Sequence, residues 1–184
     1  MRKLVLAFTL IASPAWAECP AAPDISEELD NLIVEIHAVE SDMAAREVSA
    51  RMWELWLRAP DETAQVLLDT GMRARAGFDF IRALSAFERL VAYCPAYAEG
   101  YNQRAFVYFL AEDYDKALTD LDRALELSPK HVGAGSGRAL TLMNLGRIGE
   151  ARVQLLSALE HNPWLSERFL LEAGGPLAPK AQDI

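Results

Sequence analysis

Apolar residues recur three and four positions apart along most of the chain, the spacing that gathers them on one face of an α-helix. The pattern is clearest around residue 110. Tyr101, Ala105 and Tyr108 fall on one face of a first helix, and Ala117, Leu121, Ala124 and Leu125 on one face of a second. Glu112-Asp113-Tyr114 makes the turn between them. Ser128-Pro129 ends the second helix, because proline disfavours helical geometry in the residue before it.

The arrangement repeats at a step of 34 residues. Pro95, Pro129 and Pro163 follow that step, and so do Ala83, Ala117 and Ala151. Phe87, Leu121 and Leu155 form a third column, Leu90, Ala124 and Ala158 a fourth, and the small residues Gly71, Ala105 and Ala139 a fifth. A Gly or Ala where two helices cross lets their axes approach, while a large residue one turn away fills the groove beside it. Each pair leaves an apolar side bare that the next pair must cover, so the pattern predicts an all-α stack of antiparallel helix pairs.

Two further segments flank the stack. Asp24-Ile25-Ser26-Glu27 reads as a capping box for a helix with the stripe Leu29, Leu32, Ile33, Ile36 and Val39. Ser41 reads as the cap of a second helix carrying Val48, Met52, Leu55 and Trp56 and ending near Pro60. This pair, 25–60, is expected to be a degenerate further repeat. Downstream, residues 164–172 suit a short capping helix over the last unit, and Gly174-Gly175-Pro176 belongs to a tail, 173–184, expected to be flexible.

The segment 98–131, AEGYNQRAFVYFLAEDYDKALTDLDRALELSPKH, resembles the tetratricopeptide repeat (TPR) family through Tyr101, Ala105, Tyr108, Ala117, Leu121, Ala124 and Pro129. The resemblance extends over 64–165, as units 64–97, 98–131 and 132–165. The first unit keeps Gly71, Ala83, Phe87 and Pro95 but has Ala74 in place of the usual aromatic. The third keeps Ala139, Ala151, Leu155, Ala158 and Pro163 but has Gly135 where the family favours an aromatic. What the resemblance implies is a right-handed α-solenoid whose inner surface is lined by the first helix of each pair. It names a fold rather than a partner, since such folds bind many unrelated things.

Mapped through the motif, the resemblance implies that Gln65, Leu68, Met72 and Arg75 face inward from the first unit and Glu99, Asn102, Phe106 and Phe109 from the second. Gly133, Ser136, Leu140 and Met143 do so from the third. Met and Leu beside two Phe rings, with Gln65, Asn102 and Ser136 to orient a ligand, make a surface for an extended peptide or an amphipathic helix. Phe106 and Phe109 also read as core buried between neighbouring helices. Family members that clamp a C-terminal carboxylate use a basic, Asn-rich set on this surface, and Phe106 stands where that set usually has Asn, which argues against a chaperone-tail clamp. By register Arg104 and Asp120 point into their own helix pair and are expected to form a partly buried ion pair, whereas Arg138 in the third unit meets Gln154.

Length and composition fit one globular domain: 184 residues, 52% apolar and 24% charged. Lys plus Arg number 18 against 27 for Asp plus Glu, a formal charge of −9, which disfavours nucleic acid or an anionic bilayer as the main partner. Arg2 and Lys3, the apolar run from Leu4 to Ala12, Ser13-Pro14 and Ala15-Trp16-Ala17 have the layout of a secretory signal peptide, 1–17, cut after Ala17. Trp16-Ala17-Glu18 before Cys19 does not look like a lipoprotein signal. No later apolar run reaches spanning length, so the expected product is an exported, soluble protein of the bacterial periplasm, beginning with a stub at 18–24. In that compartment Cys19 and Cys94 read either as one disulfide or as two unpaired thiols; no C-x-x-C pair marks a redox enzyme.

Residues for catalysis are not gathered in any recognisable pattern. His37, His131 and His161 are scattered without zinc-site spacing and read as solvated or capping side chains. Gly135-Ser136-Gly137 lacks the outer glycines of a nucleophile elbow, and the run Gly133 to Gly137 lacks the Lys-Ser/Thr ending of a phosphate loop. The glycines instead read as small residues at a crossing that weaken their helix and leave open space on the concave side. The sequence thus predicts a non-enzymatic exported scaffold with no cofactor or metal, binding a protein or peptide segment in cell-envelope assembly or maintenance. The alternative is a periplasmic module that binds an envelope polymer or small ligand, accessory to a separate enzyme.

Overall fold

The 34-residue step becomes three stacked helix pairs in the computed structural model, which describes residues 18–179. The elements are α1 (Ser26–Ala38), α2 (Asp42–Trp56), α3 (Glu62–Ala76), α4 (Phe80–Tyr93), α5 (Ala98–Leu110), α6 (Tyr114–Leu127), α7 (Val132–Asn144) and α8 (Ile148–His161), followed by a 3-10 helix, Ser166–Leu171. Among the described residues no helix is long and apolar enough to cross a membrane. The expected signal peptide lies outside the described residues.

The repeat columns are the crossing points. Ala83, Ala117 and Ala151 are fully buried, as are Phe87 and Leu155. A β-carbon at Gly71 would run into the Phe87 ring, so the large residue occupies the room the small one leaves. In every pair the turn uses one left-handed residue at the same place in the repeat: Phe78 (φ 59°), Glu112 (φ 60°) and Gly146 (φ 74°). Asp79 and Asp113 then cap α4 and α6, accepting from the backbone N–H groups of Arg82 (3.1 Å) and Lys116 (3.4 Å). Arg104 and Asp120 form the expected pair, with two bonds of 2.7 Å and little exposure on either side. Arg138 meets Gln154 at 3.0 Å and also Asp122 at 2.6 Å.

The N-terminal pair departs from expectation. Ser41 caps α2 through the Ala44 N–H (3.3 Å), but Asp24 accepts from the backbone and hydroxyl of Ser26 and forms no capping box. Nor do α1 and α2 stack on α3 and α4 as a fourth repeat. They run along the edge of the solenoid where each second helix turns into the next first helix. Tyr97, His131 and Leu165 mark that edge, one residue per turn at the 34-residue step. The Tyr97 hydroxyl donates to the carbonyl of Trp56 (2.7 Å), the His131 ring stacks on Trp56 (4.3 Å between centroids, 10° between planes), and Leu165 packs into the α1–α2 core. Polar contacts continue the strip: Asn162 to Ser49 (3.0 Å), His37 to the Glu160 carbonyl (3.0 Å) and Lys130 to Asp30 (2.5 Å). Cys19 and Cys94 are joined by a disulfide, which pins the N-terminal stub to the first of these turns. Burial accompanies the sideways course: the Trp56 ring stacks on His131 and the Trp53 ring lies over Gly133, although the buried Trp56 Nε1 finds no hydrogen-bond partner among the described residues.

The C-terminal segment also differs. The capping element over α8 is the six-residue 3-10 helix rather than an α-helix over 164–172. The chain beyond it is anchored as far as it is described. Leu177 is fully buried beside Leu142 and Leu155, and its N–H donates to the Leu170 carbonyl (2.9 Å).

Candidate functional site

The first helices α3, α5 and α7 form one wall of a groove, because the 34-residue step returns the same helix face at each pair. Along one side the groove is closed by Trp53 and Leu57 at the end of α2. The open pocket so formed measures about 410 Å³. Met72 and Arg75 come from α3, Asn102, Phe106 and Phe109 from α5, and Gly133, Ser136 and Leu140 from α7. Eight of the residues that the resemblance places inward thus line this cavity. Phe106 is 45% exposed and therefore displayed on the groove rather than buried as core. Phe109 is half-buried, edge-on to Tyr114 (5.5 Å).

Four assignments need correction. Leu68 is fully buried in the α3–α4 core, because it lies on the stripe that meets Phe87 and Leu90. Gln65 is held at the start of α3, accepting from the Ala59 N–H (3.2 Å) and donating to Asp69 (3.0 Å). Met143 packs on the C-terminal cluster around Leu142 and Leu177. Glu99 is 1% exposed and turned away from the groove, beneath the inter-repeat edge.

Glu99 anchors a buried polar chain that sequence spacing does not disclose. Its carboxylate accepts from Asn102 (3.0 Å), from Gln103 and from His131 Nε2 (2.7 Å). The Ala134 N–H donates to His131 Nδ1 (3.3 Å), so the ring proton sits on Nε2 and points at Glu99. The side-chain oxygen of Gln103 in turn accepts from Arg75 Nη1 (2.6 Å), and the Arg75 guanidinium lies over the Phe106 ring at 4.4 Å. Burial pushes the Arg75 pKa down from its usual value, opposed by the charge of Glu99. The network fixes the orientation of Arg75 and Phe106 at the groove surface from below. His131 therefore caps α7, as expected for one histidine class, but it is buried rather than solvated.

The glycine run contributes less open space than expected. The Trp53 indole lies over Gly133, Gly135 packs on Ala158, and Gly137 faces Leu121. The cavity is bounded by these contacts rather than created by missing side chains. Trp53 and Leu57 were not among the predicted lining residues. Trp53 sits beside the apolar stripe of α2, and only the sideways packing of that helix brings it to the groove. Chemically the site is an apolar pocket with an oriented guanidinium at one side and Glu167 at its margin. Among the described residues no group of three His, Cys, Asp or Glu side chains is placed to hold a metal ion.

Comparison with known proteins agrees with this architecture. The tetratricopeptide repeat model matches residues 98–131. A TPR repeat-containing protein of Rhizobium etli is 28% identical over 153 residues, covering 78% of this chain and 75% of that protein. A tetratricopeptide repeat protein 36 homolog of Nematostella vectensis is 42% identical over 67 residues, 36% of each. The second TPR domain of human RPAP3, solved in complex with the HSP70 peptide SGPTIEEVD, superposes with a TM-score of 0.56 at 23% identity, covering 58% of this chain and 89% of that one. The TPR2B domain of yeast Sti1, in a complex with pHsp70, gives 0.56 at 23% identity over 59% and 90%. The fold is the TPR-type α-solenoid.

Proposed function

We propose that this chain is a non-enzymatic scaffold that seats an apolar anchor of another protein's segment in the groove between α2, α3, α5 and α7. The observation that carries the reading is the half-exposed Phe106, oriented by Arg75, at the wall of a cavity of about 410 Å³. A structural neighbour solved with an HSP70 peptide supports peptide occupancy of such a solenoid. The ligand chemistry here differs, because the lining around the Arg75 guanidinium, which gives one N–H to Gln103, is mainly apolar. A side chain of Leu, Met or Phe suits it better than a bare carboxylate. The place of action is the cell envelope outside the cytoplasm, in assembly or maintenance. The signal-like N-terminus and the Cys19–Cys94 bridge support that assignment.

A polar ligand such as a glycan is less well served. Asn102 already donates to Glu99, and the Ser136 hydroxyl bonds the Gly133 carbonyl (3.3 Å). The test is photo-crosslinking in cells from position 106, with a control probe at Glu126 on the outer face. A discrete protein adduct from 106 alone, weakened when Arg75 is replaced by Ala, supports the proposal. An exported, folded protein that yields no adduct, or the same adducts from both positions, overturns it.

A further inference from the structure

We infer that a second copy of this chain covers the outer stripe of α3, with the two α3 helices antiparallel about a two-fold axis. The 34-residue step identifies the stripe. Val66, Asp69 and Arg73 correspond to Gly100, Gln103 and Val107 on α5 and to Ala134, Gly137 and Thr141 on α7. There the face lies against the preceding pair: a β-carbon on Gly100 would touch Val91 and Leu90 of α4, and one on Gly137 would touch Leu121 of α6. Val107, Ala134 and Thr141 are fully buried. On α3 the same face is open, because α1 and α2 run along the edge instead of stacking in front of it. Val66 is 56% exposed and Arg73 is exposed.

The two ends of this stripe are charge-complementary, while Asp69, near its middle, already accepts from Gln65 (3.0 Å). Glu62, Val66, Asp69 and Arg73 stand at i, i+4, i+7 and i+11, on one face of the helix. Among the described residues neither Glu62 nor Arg73 has an ion-pair partner; Arg73 reaches the Thr70 hydroxyl at 3.5 Å. Placing two copies antiparallel brings Glu62 of each chain opposite Arg73 of the other, and between the two ion pairs Val66 of each chain lies opposite Asp69 of the other. A parallel arrangement would set like charges together. The two-fold arrangement is the isologous kind most soluble dimers use.

The apolar component lies just beyond the C-terminal end of α3. Phe78 is 79% exposed and Ile81 86% exposed. The corresponding residues are Glu112 and Asp115 in the second unit and Gly146 and Gly149 in the third, so the apolar pair belongs to the first unit. Phe78 moreover holds a left-handed backbone conformation that non-glycine side chains rarely adopt. In the antiparallel pair this shoulder meets the start of the partner's α3, and its apolar area adds to a helix stripe that by itself is small for a stable interface. The inference is independent of the groove reading, since the stripe points away from the cavity.

The test is mass by light scattering on the purified disulfide-bonded chain over a range of concentrations. Twice the monomer mass is expected, with Glu62→Arg or Arg73→Glu each returning the protein to a monomer. An equimolar mixture of those two variants should recover the dimer, because each chain then supplies one sign of charge at both positions. The double variant E62R/R73E should recover it alone, and Phe78→Ser with Ile81→Ser should weaken association at least tenfold. A wild-type protein that is monomeric throughout overturns the inference, as does a dimer indifferent to either charge reversal. A monomer that sediments with anionic phosphatidylglycerol vesicles through Phe78 also overturns it and gives the shoulder to a bilayer.

Discussion

The indole of Trp53 occupies the space in which a β-carbon of residue 133 would stand. Gly133 is therefore the seat of α2 on α7, and the groove wall depends on it. Gly133→Ala forces the indole to move. The substitution should cost about 1–2 kcal/mol although Ala favours the helix by roughly 1 kcal/mol over Gly. In a Trp53→Ala background the same change should stabilise by about 0.5–1 kcal/mol. Denaturant unfolding of the four proteins in this cycle decides the matter, and the same sign in both backgrounds would refute the contact.

Arg104 and Asp120 form a two-bond ion pair with 19% and 7% of their side chains exposed. The hydrogen bonding of the Arg104 guanidinium to the Asp120 carboxylate is the main reason the Arg104 pKa lies above its usual value. Asp120→Ala leaves the guanidinium inside the pair without its partner, and a loss of about 3 kcal/mol is expected. Gln154→Ala at the corresponding position should cost about 1 kcal/mol, since Arg138 keeps Asp122 at the solvent margin. Equal losses at the two sites, read from chemical denaturation, would contradict the burial argument.

The bridge between Cys19 and Cys94 closes a separation of 75 residues. Chain-entropy reasoning allows it up to about 4 kcal/mol. Reductant should lower the unfolding midpoint of the natural chain and leave a Cys19→Ser, Cys94→Ser variant unchanged. A variant as stable as the oxidised protein would show that the remaining contacts of α1 and α2 hold the stub without it.

Acid should weaken the C-terminal end of the same strip. Burial holds the His161 imidazole below its ordinary pKa, so the folded chain takes up that proton less readily than the unfolded one. Its contribution to stability is complete above the unfolded value of about 6.5, declines as pH falls from there through the lower folded value, and then levels off. Denaturation midpoints measured across that window should fall for the natural chain and fall less for His161→Asn. An unchanged slope in the variant would remove His161 from the account.

The three stacked pairs were legible because their constraint is local and repeated. A small residue at each crossing and a proline after each second helix must recur wherever the geometry recurs. The course of α1 and α2 was not legible for the opposite reason. Their stripes show that Leu32, Ile36, Met52 and Trp56 must be buried but not against what, and the partners are unlike residues far away in sequence. Tyr97, His131 and Leu165 share one place in the repeat, yet an aromatic phenol, an imidazole and an aliphatic chain do not read as a column. Glu99 looked like a groove residue for a similar reason. It sits in the first turn of a helix, where acids are ordinarily solvated, and its partner His131 is 32 residues away. Met72, Phe106 and Leu140 line the cavity from the repeated face, where the 34-residue step points to them, whereas Trp53 lines it from outside the repeat, where no such step applies.

A stack of helix pairs touching only their neighbours behaves as a spring: its coils open and close by small hinge motions, and under tension they come apart one at a time. Here a single helical strap is fastened to three successive coils, at Tyr97, His131 and Leu165, and riveted at Cys94. The pitch of the superhelix is thereby fixed. Pulled from its ends, such a molecule should resist as a strut and then fail in one step, with little of the compliance that an unstrapped array of the same repeats would show.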